Sequence, residues 1–343
     1  MMADRIYLDW NATAPLRPEA RSAMFEAFSV CGNPSSVHAE GRAAKALIER
    51  SRGRIAEALG CKAKEVVFVS GATEAAQVLS AWPGPVLVDP TAHDALWAQR
   101  REASVGPSIF AFGLANSETG AITPKPSQPS DATCIDLTQA VGRIPVAFGW
   151  GGADLGIVSA HKFGGPKGIG ALIVKEGLDI EPLALGGGQE MGRRAGTENV
   201  VGIAGFAAAL DAVCNELESG IWNGVKEKRR KMEEDMQALV PDCIVAGGDL
   251  DRLPNTSCIV VPGWKGETQV MQMDLAGFAI SAGSACSSGK VKPSRVLASM
   301  GYDDDQSASA IRVSFGPEIS QDALDEFVTS WSRAYERHRA RAA

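Results

Sequence analysis

The sequence predicts an α/β protein in which a mainly parallel sheet, covered by helices, is followed by a smaller α+β domain. Three observations carry this. Short β-branched runs alternate with helical patterns, those runs are apolar throughout, and the pattern changes after residue 174. A strand buried on both faces has no polar side to show, which marks a sheet lying between helix layers.

In chain order the strand runs are EVVFVS (65–70), GPVLVDP (84–90), SIFAF (108–112), TCID (133–136), LGIVSA (155–160) and GALIV (170–174). Residues 198–218, ENVVGIAGFAAALDAVCNELE, read as one long helix. The mixed charges of KEKRRKMEED (226–235) then read as a solvated helix face. Beyond lie strand-like NTSCIVV (255–261) and FAISAG (278–283), a helix around PSRVLASMG (293–301) and strand-like IRVSF (311–315). This places a large domain at 15–218 and a small one formed by 1–14 and 219–343.

Composition narrows the function. A chain of 343 residues, 45% apolar and 22% charged, exceeds one ordinary core and suits a globular protein of two domains. Its net charge of −7 leaves no electrostatic footprint for nucleic acid. MMADRIYLDW lacks the apolar stretch of a signal peptide, and no run reads as the ~18 to 20 apolar residues of a membrane span. A cytoplasmic protein without a membrane partner is expected. Seven cysteines with no CxxC spacing argue against a disulfide framework and against a metal site. Cys286 stands apart from the other six. In SAGSACSSG (281–289) its neighbours are too small to pack against it, the setting of a reactive thiol carried on a loop.

The most informative segment is SAHKFGGPKGIGAL (159–172), where a strand end is followed by Ser159, His161 and Lys162 and then by glycines. It is neither a Walker A loop nor a GxGxxG turn. SGATEA (70–75) follows a strand and opens a helix, so its amides and Thr73 offer an anion site. TCIDLTQ (133–139) puts Asp136 at another strand end. A strand-end lysine, a strand-end carboxylate and a phosphate cup are the parts that hold pyridoxal phosphate, as Schiff-base partner, pyridinium partner and anchor.

The chain resembles the NifS/IscS-type cysteine desulfurases of the class V branch of fold-type I pyridoxal-phosphate enzymes. The marks run almost end to end. They are IYLDWNATAP (6–15), GNPSSVHAEGR (32–42), VSGATEA (69–75), NSETG (116–120), IDLTQAVG (135–142), SAHKFGGPKGIGAL (159–172), GGGQEMGRRAGTEN (186–199), SAGSACSSGKVKPS (281–294) and AIRVSFG (310–316). The resemblance implies a mainly parallel sheet of the seven-stranded type in the large domain. It makes Lys162 the Schiff-base lysine and has His93 stack on the cofactor ring and assist proton transfer. Asp136 would keep the ring nitrogen protonated, and Gln139 would bond the ring hydroxyl. Thr73, Ser159 and His161 would hold the phosphate, with Ala72 and Asn116 also at the cofactor. Thr197 would reach the phosphate of a second subunit, which implies a homodimer.

On the substrate side, the resemblance assigns Arg312 to the carboxylate of L-cysteine, with Asn33 and Ser117 nearby. Cys286 would take the substrate sulfur as a persulfide, release alanine and pass the sulfur to an acceptor protein for iron–sulfur cluster assembly or thiolation. A selenocysteine lyase, another class V enzyme, or a non-catalytic paralogue are the alternatives. The chain departs from the family pattern at Ser117, where asparagine is usual, at Met191 for arginine, at Gln77 and Val78, and at Trp10. Between His93 and Asn116 it is also short by about a strand and a helix.

Overall fold

The structure is a computed structural model that describes residues 5–103, 105–123, 128–283 and 293–342. Cys286 lies outside the described residues. The chain falls into two compact units, one of 13–114 with 123–219 and one of 1–12 with 115–122 and 220–343. Against a large domain at 15–218, the segment 115–122 belongs with the small unit. Backbone bonds from Ile122 to the Asp251 carbonyl and from Leu253 to the Gly120 carbonyl, 2.8 Å each, tie it there.

The small unit contributes β1 (Ile6–Tyr7) at the start of the chain. The large unit then runs α1 (Pro18–Ala27), α2 (Ala39–Leu59), β2 (Val66–Val69), α3 (Ala72–Ala76), β3 (Val86–Val88), α4 (Asp94–Trp97), β4 (Ile109–Gly113), β5 (Ala132–Asp136), α5 (Phe148–Gly151), β6 (Leu155–Ser159), β7 (Gly170–Val174) and α6 (Val200–Ser219). Its sheet has the order β2-β7-β6-β5-β4-β3. Strands β3 to β6 are mutually parallel, and β7 runs antiparallel to both β6 and β2. All strands but β7 therefore point the same way, and their C-terminal ends share one edge.

The apolar runs divide by alternate residues between two cores. Phe68, Phe110, Phe112, Ile135, Val158 and Ile173 face one core together with Ile48, Ile55, Leu59, Phe206 and Leu210 of α2 and α6. Val67, Val69, Ile109, Cys134, Ile157 and Leu172 face the other with Leu79, Trp82 and Leu96. The period of two places every second side chain on the same face, so burial on both sides demands an unbroken apolar strand.

Among the described residues this sheet has six strands, one fewer than the resemblance implies. The shortened stretch accounts for the difference. Among its described residues the connection between neighbouring strands β3 and β4 carries α4 and no further helix, which leaves β3 as the edge. Arg101 closes that edge: its backbone exchanges two hydrogen bonds with Val86, of 2.9 and 3.1 Å. Its guanidinium donates to the carbonyls of Ser80 (2.7 Å), Gly84 (3.0 Å) and Trp82. An edge paired and charged in this way is a poor template for another chain.

By length and composition α6 could cross a membrane, contrary to the sequence expectation that no run reaches that standard. Over half of it is buried within the protein, where it packs against α1 and α2. It is a core helix.

The small unit continues with α7 (Ile221–Leu239), β8 (Ile244–Val245), β9 (Thr256–Val260), α8 (Gly266–Leu275), β10 (Phe278–Ala279), β11 (Ser281–Ala282), α9 (Arg295–Ser299), α10 (Asp304–Ala308), β12 (Ala310–Ser314) and α11 (Gln321–Ala342). An antiparallel sheet runs β11-β12-β9-β8, while β1 pairs with β10 in parallel. The charged run on α7 is not wholly solvated. Arg229 and Glu233 are buried, and the Glu233 carboxylate binds Arg229, Arg252 and the Ser257 hydroxyl. Burial alone would raise this carboxyl, yet the Arg252 and Arg229 partners hold it below its ordinary value.

Candidate active site

The strand ends of the large unit gather the predicted cofactor residues. Asp136 closes β5 and Ser159 closes β6, its neighbour, and a helical turn, Ala160–Lys162, follows Ser159 directly. Crevices at the carboxyl ends of parallel strands are where α/β sheets bind ligands. One Asp136 carboxylate oxygen accepts from the Thr138 amide at 2.9 Å, a turn that fixes the side chain just beyond the strand. The Thr138 hydroxyl is buried with no hydrogen-bond partner among the described residues.

Ala72 and Thr73 begin α3, whose first amides have no partners within the helix. The helix packs against β6 and β7. Gly170 permits this approach, because a Cβ there would lie 2.5 Å from the Val158 carbonyl oxygen and 2.9 Å from the Cα of Gly71. The hydroxyl of Ser159 lies 3.5 Å from where a Cβ on Gly71 would stand. Glu74 secures the turn by accepting from the Ser70 amide at 2.6 Å and from Arg194 at 2.9 Å.

Burial, with Lys162 and Lys167 adding positive charge, pushes the His161 imidazole down to about 4. Its Nδ1 lies 3.2 Å from the Thr13 hydroxyl. The ring is therefore neutral at pH 7 and keeps one N–H to donate.

Gln139 and Arg143 are buried together. Arg143 Nη1 donates to both the backbone carbonyl (3.0 Å) and the side-chain oxygen of Gln139, and Nη2 donates to the Lys162 carbonyl at 3.0 Å. The sequence reading missed Arg143.

The remaining predicted residues are placed differently. His93 is exposed and caps α4, its Nδ1 accepting from the Ala95 amide at 3.1 Å. Asn33 is exposed and its side chain accepts from the Ser35 amide at 2.9 Å. Thr197 is exposed and lines a cavity of about 120 Å³ with Ser70, Arg194 and Glu198. A larger cavity, about 540 Å³, brings Pro34 and Ser35 beside Gln189 and Glu198, the neighbours of Asn33 beside those of Thr197.

Three candidates belong to the small unit. Asn116 is buried, its side-chain oxygen accepting from the amides of Glu118 and Thr119, both at 2.9 Å. The carbonyl of Ser117 accepts from Arg312 Nη1 and from Asn11, each at 3.1 Å. Arg312 lies on β12, paired with Ser281 of β11, the strand that precedes the Cys286 segment. Its Nη2 donates to Asp9 at 2.7 Å, and its buried Nε–H has no partner among the described residues. Asp9, in IYLDW, was not singled out from the sequence.

Comparison with known proteins identifies the family. The family Aminotransferase class-V matches residues 6–87 and 101–327, leaving out only the short stretch that holds His93 between them. A cysteine desulfurase of Cereibacter sphaeroides is 36% identical over 95% of this chain and 94% of its own length. A cysteine desulfurase IscS of Dictyoglomus turgidum is 33% identical over 98% and 96%. The solved structure of a NifS-like protein from Rickettsia africae superimposes with a TM-score of 0.86 at 26% identity, covering 97% of this chain and 99% of that one. By its strand-end site and by these matches, the chain belongs to the class V aminotransferase family, within its NifS/IscS-type cysteine desulfurases.

Proposed function

We propose that the protein is a pyridoxal-phosphate-dependent cysteine desulfurase that converts L-cysteine to L-alanine and carries the sulfur away on Cys286. The observation that carries the reading is the convergence of Lys162, Asp136, Ser159 and the opening of α3 on one sheet edge. These groups fit the cofactor by chemistry. The side-chain-free position at Gly71 beside the Ser159 hydroxyl, with the first amides of α3, Thr73 and His161, suits a phosphate. Asp136 supplies a carboxylate for a ring nitrogen, and Gln139 an amide for a ring oxygen. Bound there, pyridoxal phosphate supplies an electron sink that labilises bonds at the substrate Cα.

The chain's own groups do the rest. Lys162 is the amine that holds the cofactor and, when displaced by substrate, the base at Cα. Asp136 keeps the proton on the ring nitrogen. Arg312 binds the substrate carboxylate, for which its Nε–H, without a partner among the described residues, is a ready donor. The Cys286 thiolate attacks the substrate sulfur, so that an S–S bond forms as the C–S bond breaks, and alanine leaves with the proton it needs from the site. The persulfide then passes to an acceptor protein. Thr197, being exposed, suits service to the phosphate of a second copy in a homodimer, and the site of action is the cytoplasm.

The test is the mass of the Cys286 peptide after L-cysteine is added to cofactor-loaded protein without reductant. One added sulfur, absent in Lys162→Ala, is expected. An unmodified peptide from protein that retains its visible cofactor absorbance would overturn the reading.

A further inference from the structure

We infer that Arg143 is a positioning residue: it fixes the Gln139 amide as a hydrogen-bond donor to the cofactor ring oxygen and moors the Lys162 turn beside it. The inference rests on the proposed cofactor reading and deepens it.

Gly142 has φ +76° and would place a Cβ 2.8 Å from the side chain of Val213 on α6. Only glycine suits that backbone and that approach. The turn so pressed against α6 delivers the next side chain, Arg143, into the interior, where it is 2% exposed and Gln139 is 6% exposed. The two N–H bonds of Nη1 go to the two oxygens of Gln139, and Nη2 reaches across to the Lys162 carbonyl. One planar guanidinium thus joins the segment after β5 to the segment after β6.

A side-chain amide has one acceptor end and one donor end, and a cation can hold only the oxygen. With Oε1 held by Arg143, the Gln139 amide has only N–H groups to offer a ligand. A ring oxygen facing it then receives a hydrogen bond, which takes negative charge off that oxygen and loosens its hold on a neighbouring proton. Lysine at 143 would keep a cation on Oε1, but as a point charge it has no fork to reach Lys162 as well.

The measurement is the pH midpoint of the visible absorbance of cofactor-loaded protein, with Asp136, His161, Lys162 and Lys167 unchanged in every variant. Gln139→Leu removes the donor and raises the midpoint by about one pH unit, the worth of one hydrogen bond. Arg143→Met frees the amide to turn and raises it in the same direction by less. The double variant shifts no further than Gln139→Leu alone. Arg143→Lys moves the midpoint back toward wild type, and with Gln139→Leu it completes the test if Arg143→Met does not fold. Arg143→Met that leaves the midpoint unmoved, Arg143→Lys that shifts it as far as Gln139→Leu, or a double variant that shifts it further than Gln139→Leu alone overturns the inference. If wild-type protein acquires no visible absorbance, the cofactor reading itself falls, which is a different failure.

Discussion

Asp9 holds Arg312: one carboxylate oxygen accepts from Nη2 at 2.7 Å, in a pair whose side chains are 18% and 13% exposed. With the Ser117 carbonyl on Nη1, the guanidinium is oriented before any substrate arrives. Lysine is a point charge without the planar fork that meets both partners and still presents a face to a carboxylate. Arg312→Lys is expected to lower kcat/KM for L-cysteine roughly 10- to 100-fold, the worth of one charge-assisted hydrogen bond, chiefly through KM. Steady-state kinetics with L-cysteine decide it, and an unchanged KM would remove Arg312 from substrate binding.

Thiol reactivity should single out few positions. Burial pushes the Cys61 and Cys243 thiols up to about 12 and raises Cys134, Cys214 and Cys258 as well. Only the thiolate reacts, so these five should resist alkylation in the native protein at pH 7. Mapping iodoacetamide adducts by mass should find label at Cys286, with exposed Cys31 as the competitor. Early labelling of Cys134 or Cys258 would contradict their burial.

His161 makes stability depend on pH. In the unfolded chain it protonates near its ordinary value, about 6.5, while in the fold burial and the nearby lysines delay protonation to about 4. The unfolded state therefore binds the proton first, and stability falls as pH drops from about 6.5 to about 4. Melting temperatures of the unloaded protein across that window should fall more steeply for wild type than for His161→Gln. Parallel curves would mean that this imidazole titrates normally in the fold.

Arg101→Ala strips the guanidinium from three carbonyls beside β3. A loss of about 1–3 kcal/mol in urea unfolding is expected, together with concentration-dependent association through the bared edge. Light scattering identical to wild type would show that the edge is protected by other means.

Much of the sheet was legible because burial on both faces writes itself as unbroken apolar runs: 66–69, 155–159 and 170–174 all lie within runs read as strands. Strand direction was not legible. β7 looks like its neighbours in composition yet runs against them, since direction depends on connections rather than on side chains. Ser159, Lys162 and Asp136 could be read as site residues because each ends an apolar run. Arg143 and Asp9 could not, because their roles come from partners that the fold supplies. The same holds for Arg52 and Glu190, a buried pair 2.7 Å apart that also holds the Phe68 amide. Glu190 adopts a left-handed φ of 50°, a conformation that a sequence of ordinary residues does not announce.

The position of β2 has a consequence for the order in which the protein assembles. Among the described residues its one partner in the sheet is β7, and β3, β4, β5 and β6 all lie between the two in the chain. As the polypeptide leaves the ribosome, β2 is made first among these strands and finds its partner last. The strand that leads into the proposed phosphate cup thus waits through the synthesis of the whole parallel array, a long-range closure of the kind that slows folding. Completion of the cup reports that the sheet behind it is finished, and cofactor capture at that cup would come at the close of folding.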